Sequence, residues 1–141
     1  MKLPDTNVLF NAVHDGSPHH RAACGALEAA FDSHEGVGLV WLALVGFLRI
    51  STQRGIMPTP MPLAQALGVL DGWLLHPRAH VLHPGAGHAG IMGRLLLAAG
   101  AGGNLTNDAH IAAIAIEHNA EVLTFDRDFA HFTGLRYQLL S

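Results

Sequence analysis

"NDAHIAAIAIEHNAEVLTFDRDF", residues 107–129, holds aspartates at both ends of an almost unbroken apolar stretch. Asn107 is placed to cap a helix, and Asp108 in its first turn complements the positive end of the helix dipole. Ile111, Ala112, Ala115 and Ile116 recur at helical spacing as an apolar stripe. Asn119 suits a left-handed stop. "EVLTF" then reads as a buried strand that ends at Asp126. A helix feeding a short apolar strand is the repeating unit of an α/β domain with a mainly parallel sheet.

The same alternation continues outward. Residues 2–5 read as a short strand, and "TNVLFNAV" as a turn opening into a helix capped by Thr6 or Asn7. "HHRAACGALEAAFDSH" (19–34) is rich in helix formers. "GLVWLALVGFLRIST" (38–52) is apolar nearly all round, which predicts deep packing. "QRGIMPTPMP" is a loop with three prolines, and "LAQALGVLDGWLL" an amphipathic helix ending before Pro77. "HVLHPGAGHAG" gives a strand and loop, "IMGRLLLAA" a helix, and "GAGGN" its stop. No repeat or interdomain linker interrupts residues 1–141, so a single domain is expected.

Composition narrows the function classes. Half of the 141 residues are apolar and mean hydropathy is +0.28. No apolar run reaches the roughly 18–20 residues that span a bilayer. The surplus of apolar side chains suggests that some cover a partner surface. Net charge is −3, so no global basic field attracts nucleic acid. The start lacks a charged leader followed by a long apolar region and cleavage site. With Cys24 the one cysteine, there is no internal disulfide, which is compatible with a reducing, cytoplasmic setting.

In open α/β sheets ligands bind beyond the carboxyl ends of the strands. Asp5 ends the first strand and Asp126 the last clear one. Asp108 starts the helix feeding that last strand, a helix length from the strand's own beginning. Sequence alone leaves open whether that helix start returns to the sheet's upper edge. If the first and last strands are neighbours, Asp5 and Asp126 converge. Carboxylates within about 4–6 Å repel unless a cation intervenes. An all-oxygen, highly charged set suits Mg²⁺ or Mn²⁺ better than zinc. Each acid also has an ordinary reading, as a turn residue, a helix-start charge or a solvated loop. Taken together, with Thr6, Asn7 and Thr124 as hydrogen-bonding supports, a metal site is the better account.

Four separated motifs carry a resemblance: "LPDTNVLFNAV", "GFLRIST" (46–52), "GNLTNDAHIAAIAIEHNAEVLTFDRDF" (103–129) and "GLRY". In this order they resemble the PIN-domain family, and within it the VapC-type toxins of toxin–antitoxin pairs. The resemblance implies a three-layer α/β/α domain with a parallel sheet. It also implies Mg²⁺-dependent hydrolysis of RNA to 5′-phosphate and 3′-hydroxyl ends, and neutralisation by a VapB-type antitoxin. Asp5, Asp108 and Asp126 would be catalytic metal ligands, with Asp128 a weaker ligand or support. Arg49 would contact substrate phosphate, or else pair with a buried acid. The apolar helices suggest a homodimer. The second motif departs: related toxins carry a glutamate two residues before Gly-Phe-x-Arg, and Leu44 stands there. That leaves two expectations, a metal held by three aspartates or a weakly active or silent protein that binds antitoxin or RNA.

Eleven histidines, dense in "HPRAHVLHPGAGH" (76–88), raise a zinc reading. Pro77 and Pro84 break the helix that would align them, and no cysteine or acid lies nearby.

Overall fold

The computed structural model describes residues 1–141. Five short strands form one parallel sheet in the order β3-β2-β1-β4-β5. They are β1 (Lys2–Pro4), β2 (Val37–Leu39), β3 (Ala79–Val81), β4 (Glu121–Thr124) and β5 (Tyr137–Leu139). Six helices connect or flank them: α1 (Thr6–Val13), α2 (His20–Asp32), α3 (Trp41–Thr52), α4 (Leu63–Leu75), α5 (His88–Ala99) and α6 (Thr106–Glu117). The expected three-layer α/β/α architecture is what the chain adopts.

The path of the chain explains the layers. From β1 it steps to β2 and then β3 in one direction, using α1–α4 as crossovers. It then returns past β1 to β4 through α5 and α6, and a 3₁₀ turn, Arg127–His131, leads on to β5. Right-handed crossovers in opposite directions put their helices on opposite faces. The reversal falls between β1 and β4, where a crevice opens at the strands' carboxyl ends.

β1 and β4 pair as Lys2–Glu121, Leu3–Val122 and Pro4–Leu123. Lys2 and Glu121 also form an ion pair at the entry to this central pair. Leu3, Val122 and Leu123 are buried on the sheet, in one core with Leu9, Phe47, Ile111, Ile114 and Phe129. Each such side chain contributes about 1.5–3 kcal/mol on leaving water.

Several local expectations are corrected. Asp5, rather than Thr6 or Asn7, caps α1: its Oδ1 accepts from the Thr6 amide at 2.7 Å. Asn107 is not a cap. A 3₁₀ turn, Gly103–Leu105, runs directly into α6, so Asn107 lies inside the first turn. The apolar surface of α6 is broader than a stripe, since Ala109, Ala113 and Ile114 are buried as well. The sheet side and α5 both press on this helix, and its small alanines permit that close approach. The segment 38–52 divides into a strand and a helix, with Val40 between them. Trp41 and Val45 on α3 face outward, 46% and 55% exposed, so the segment is not packed on all sides. Strand β5 had no counterpart in the sequence reading.

Candidate metal and nucleic-acid site

α6 runs antiparallel to β4, joined through a tight stop in which Asn119 has φ of 52°. Twelve helical residues rise about 18 Å. Four strand residues and the two that follow climb a comparable distance in return. The start of α6 therefore lies beside the end of β4, and Asp108 arrives where Asp126 leaves the sheet.

A cavity of about 670 Å³ opens there, lined by Asp5, Asp108 and Asp126 together with Thr6, Asn7 and Asn107. The expected convergence of the three aspartates is therefore present. Asp128 stands at the rim, exposed, outside the cavity lining. Its carboxylate still approaches those of Asp108 and Asp126, one oxygen from each lying within 4.8 Å of the others. Asp5 sits deeper and is not part of that closest trio.

The supports form one hydrogen-bonded chain centred on buried Thr124. Its hydroxyl donates to Asp5 Oδ2 at 2.9 Å and accepts from the Asp126 amide at 2.9 Å. Asn7 Nδ2 reaches the same hydroxyl at 3.5 Å, and Asn7 Oδ1 accepts from the Phe125 amide at 3.2 Å. Asp126 Oδ1 in turn accepts from the Asp128 amide at 2.9 Å. Thr6 adds its backbone amide to Asp5, and Gly46 of α3 packs against its side chain. A Cβ on Gly46 would come within 2.8 Å of Thr6 Cγ2. Glycine there lets α3 close on the acid-bearing end of α1.

Charge in this cavity is poorly compensated. Burial is the main cause raising the pKa of Asp5, opposed by the Thr124 and Thr6 hydrogen bonds. Asp108 is pushed up to about 7, first by burial and then by Asp5, Asp126 and Asp128. Arg49 is the one cation on the wall, and it is exposed. It donates to Gln53 Oε1 at 3.3 Å and forms no pair with a buried acid. Hard oxygen donors, several formal negative charges and one remote guanidinium fit a divalent cation. Asp108, Asp126 and Asp128 are the closest set to hold it, with Asp5 facing the same space.

Leu44 does not belong to this wall. It is completely buried in the core, while Leu42, Val45, Gly46, Arg49 and Ile50 are the α3 residues that line the cavity. A carboxylate at position 44 would enter the core. Phe10, Met57 and Asn107 are wall residues to which the sequence alone assigns no part in the site. The only available signal was Asn107, adjacent to Asp108 at a helix start.

The PIN domain model matches residues 2–135. This chain belongs to the PIN-domain family. Ribonuclease VapC37 of Mycobacterium tuberculosis is 40% identical over 137 residues, covering 97% of this chain and 95% of the relative. Ribonuclease VapC33 of the same species is 38% identical with coverage of 97% and 96%. Solved PIN-domain structures share the fold at lower identity. VapBC2 from Rickettsia felis, bound to a DNA fragment from its promoter, has a TM-score of 0.72 at 21% identity, covering 99% of this chain and 98% of that one. M. tuberculosis VapC20, a sarcin–ricin-loop-cleaving toxin, has a TM-score of 0.69 at 19% identity, covering 96% and 99%.

Proposed function

We propose that this PIN-domain protein is an endoribonuclease toxin that hydrolyses RNA phosphodiesters with Mg²⁺, or Mn²⁺ in its place. A VapB-type antitoxin neutralises it, and it works in the cytoplasm as a homodimer. The observation that carries the reading is the convergence of Asp5, Asp108 and Asp126 on one cavity whose only cation is Arg49. The names of its relatives at 38–40% identity support RNA as substrate. The silent-protein alternative is not favoured, because relatives 38–40% identical over nearly the whole chain are named ribonucleases.

Asp108, Asp126 and Asp128 would hold the cation, and Asp5 would complete the set from below. Bound there, a divalent ion lowers the pKa of water and offsets charge building on the phosphorus centre. The side chains do the positioning. Thr124 and the Thr6 amide keep both Asp5 oxygens aimed, which fixes where the attacking water can sit. One aspartate takes the water's proton as the oxygen closes on phosphorus. In-line attack would break the P–O3′ bond, and the departing 3′ oxygen would take a proton from solvent, leaving 5′-phosphate and 3′-hydroxyl ends. Arg49 is free to grip a phosphate of the incoming strand in a bidentate way.

Purified protein incubated with bacterial RNA, with and without Mg²⁺, tests the reading. Cleavage that requires the ion and is lost in Asp5→Asn and Asp108→Asn is expected. Cutting by both variants at the wild-type rate would overturn it.

A further inference from the structure

The acidic cavity does not end at its aspartates. Phe10 and Met57 line it and also line a second cavity of about 560 Å³, between the loop after α1 and the loop after α3. The two spaces are therefore neighbours that share a wall. The second one contains no aspartate cluster. Its surface is an aromatic pair with a polar rim: the rings of Phe10 and His14 lie 4.3 Å apart at 33°, and Asp15, Ser17 and Thr59 surround them.

The aromatic pair is held firmly. His14 Nε2 is 3.0 Å from Ser51 Oγ, and Ser51 is completely buried on α3. This bond ties the imidazole to α3. Burial lowers the His14 pKa below its ordinary value, which favours the neutral ring. Phe10 lies about 7.5 Å of helical rise beyond Asp5, the N-cap of α1, and both line the acidic cavity. A strand whose phosphate lies over Asp5 can thus place its next base over Phe10.

We propose that this second cavity is a nucleobase pocket, in which the Phe10 ring, backed by His14, stacks the base next to the scissile phosphate. The inference rests on the nuclease reading above. Single-stranded RNA is commonly recognised by bases splayed onto aromatic side chains, and stacking tolerates any base because each has a π-face. Continuity with the acidic cavity makes RNA the occupant. An isolated apolar groove would lack both the shared wall and the polar rim. The pocket adds grip on the substrate beside the cut without adding a chemical group.

The test uses the full chain. Cut sites are first mapped on bacterial RNA, and short oligoribonucleotides spanning one site are made intact or abasic on either side of the cleaved phosphate. For the wild type, removing one particular base should lower kcat/KM about 5- to 100-fold, mostly through KM. In Phe10→Leu, which keeps apolar volume but loses the π-face, that penalty should shrink to near unity, with thermal unfolding showing an intact fold. Equal penalties in both proteins, or none at either position, would overturn the pocket and leave the nuclease reading standing. Failure of the wild type to cut any RNA would remove both.

Discussion

The two ends of α6 carry ionisable groups of similar density and opposite fate. Near its end, Glu117 Oε1 meets His88 Nδ1 at 2.9 Å, and Glu117 Oε2 accepts from the Gly85 amide at 2.7 Å. His88 Nε2 lies 2.8 Å from His110 Nδ1, which closes a chain between α5 and α6. At its start, Asp108 faces Asp5, Asp126 and Asp128 with no cation against it, and its pKa is pushed up to about 7. One cluster is completed within the chain, and its glutamate is held below the usual carboxylate range even against burial, through His88 and the Gly85 amide. The other is complete only with something the chain does not supply. Protein partners satisfy structural charges, whereas unsatisfied ones mark a site for a ligand.

The sharpest way to break this contrast is Asp108→Asn. If the start of α6 serves chemistry, cleavage should fall about 1000-fold, equivalent to about 4 kcal/mol in the barrier. A gel assay of labelled RNA reads it, and near-wild-type cutting would put both ends of the helix in the structural class.

Leu44→Glu comes next. The substitution places a third kind of carboxylate, with neither partner nor cation, in the core near α6. It should destabilise by about 3 kcal/mol or more. Urea unfolding measures this. A variant as stable as wild type, with tighter Mg²⁺ binding, would instead put position 44 on the cavity.

Glu117→Ala should cost about 1–2 kcal/mol by removing the charged acceptor of His88 and of the solvent-exposed Gly85 amide. Cleavage should survive. A loss of activity greater than the loss of folded protein would give the His88–Glu117 chain a part in catalysis.

The smallest effect is in pH. A carboxyl whose pKa rises on folding, like Asp108, lends stability below its unfolded value near 4 and loses it as pH climbs to about 7. For a partly exposed group, solvent screening reduces this to on the order of 1 kcal/mol. In chelator, wild type should therefore lose stability relative to Asp108→Asn between pH 4 and 7, and the difference should level off above that. Mg²⁺ should raise the melting temperature of wild type more than that of the variant. A pH-independent difference would mean that neither burial nor the neighbouring acids raise the Asp108 pKa.

Much of this was legible in the chain itself. Strand–helix alternation and the Asn119 stop are local signals, set by side-chain periodicity and backbone preference, and they located β1, β4 and α6. The aspartates could be read because four motifs stand in a recognisable order and because an acid at a strand's end has few structural uses. Other features depended on contacts that sequence spacing does not encode. Whether Leu44 faced core or cavity turned on the rotation of α3, and a shift of one residue turns a helix side chain by about 100°. Thr6 and Asn7 were plausible caps by type, yet Asp5 one position earlier had the right extended backbone. Strand β5 is three exposed residues at a sheet edge, too short to show a pattern. Phe10 and His14 looked like ordinary helix residues, and only the loop packed opposite them makes a cavity.

The Thr124–Asp5 hydrogen bond joins residues 119 positions apart. One end is the last residue of β4 and the other directly follows β1, so the cavity cannot form until residues 2–124 are all present. Closing so long a loop is a late and entropically demanding event. A nascent fragment that stops short of Thr124 holds Asp5 but lacks its hydrogen-bonding partner, so the acidic cavity waits for β4 and the residues that follow it.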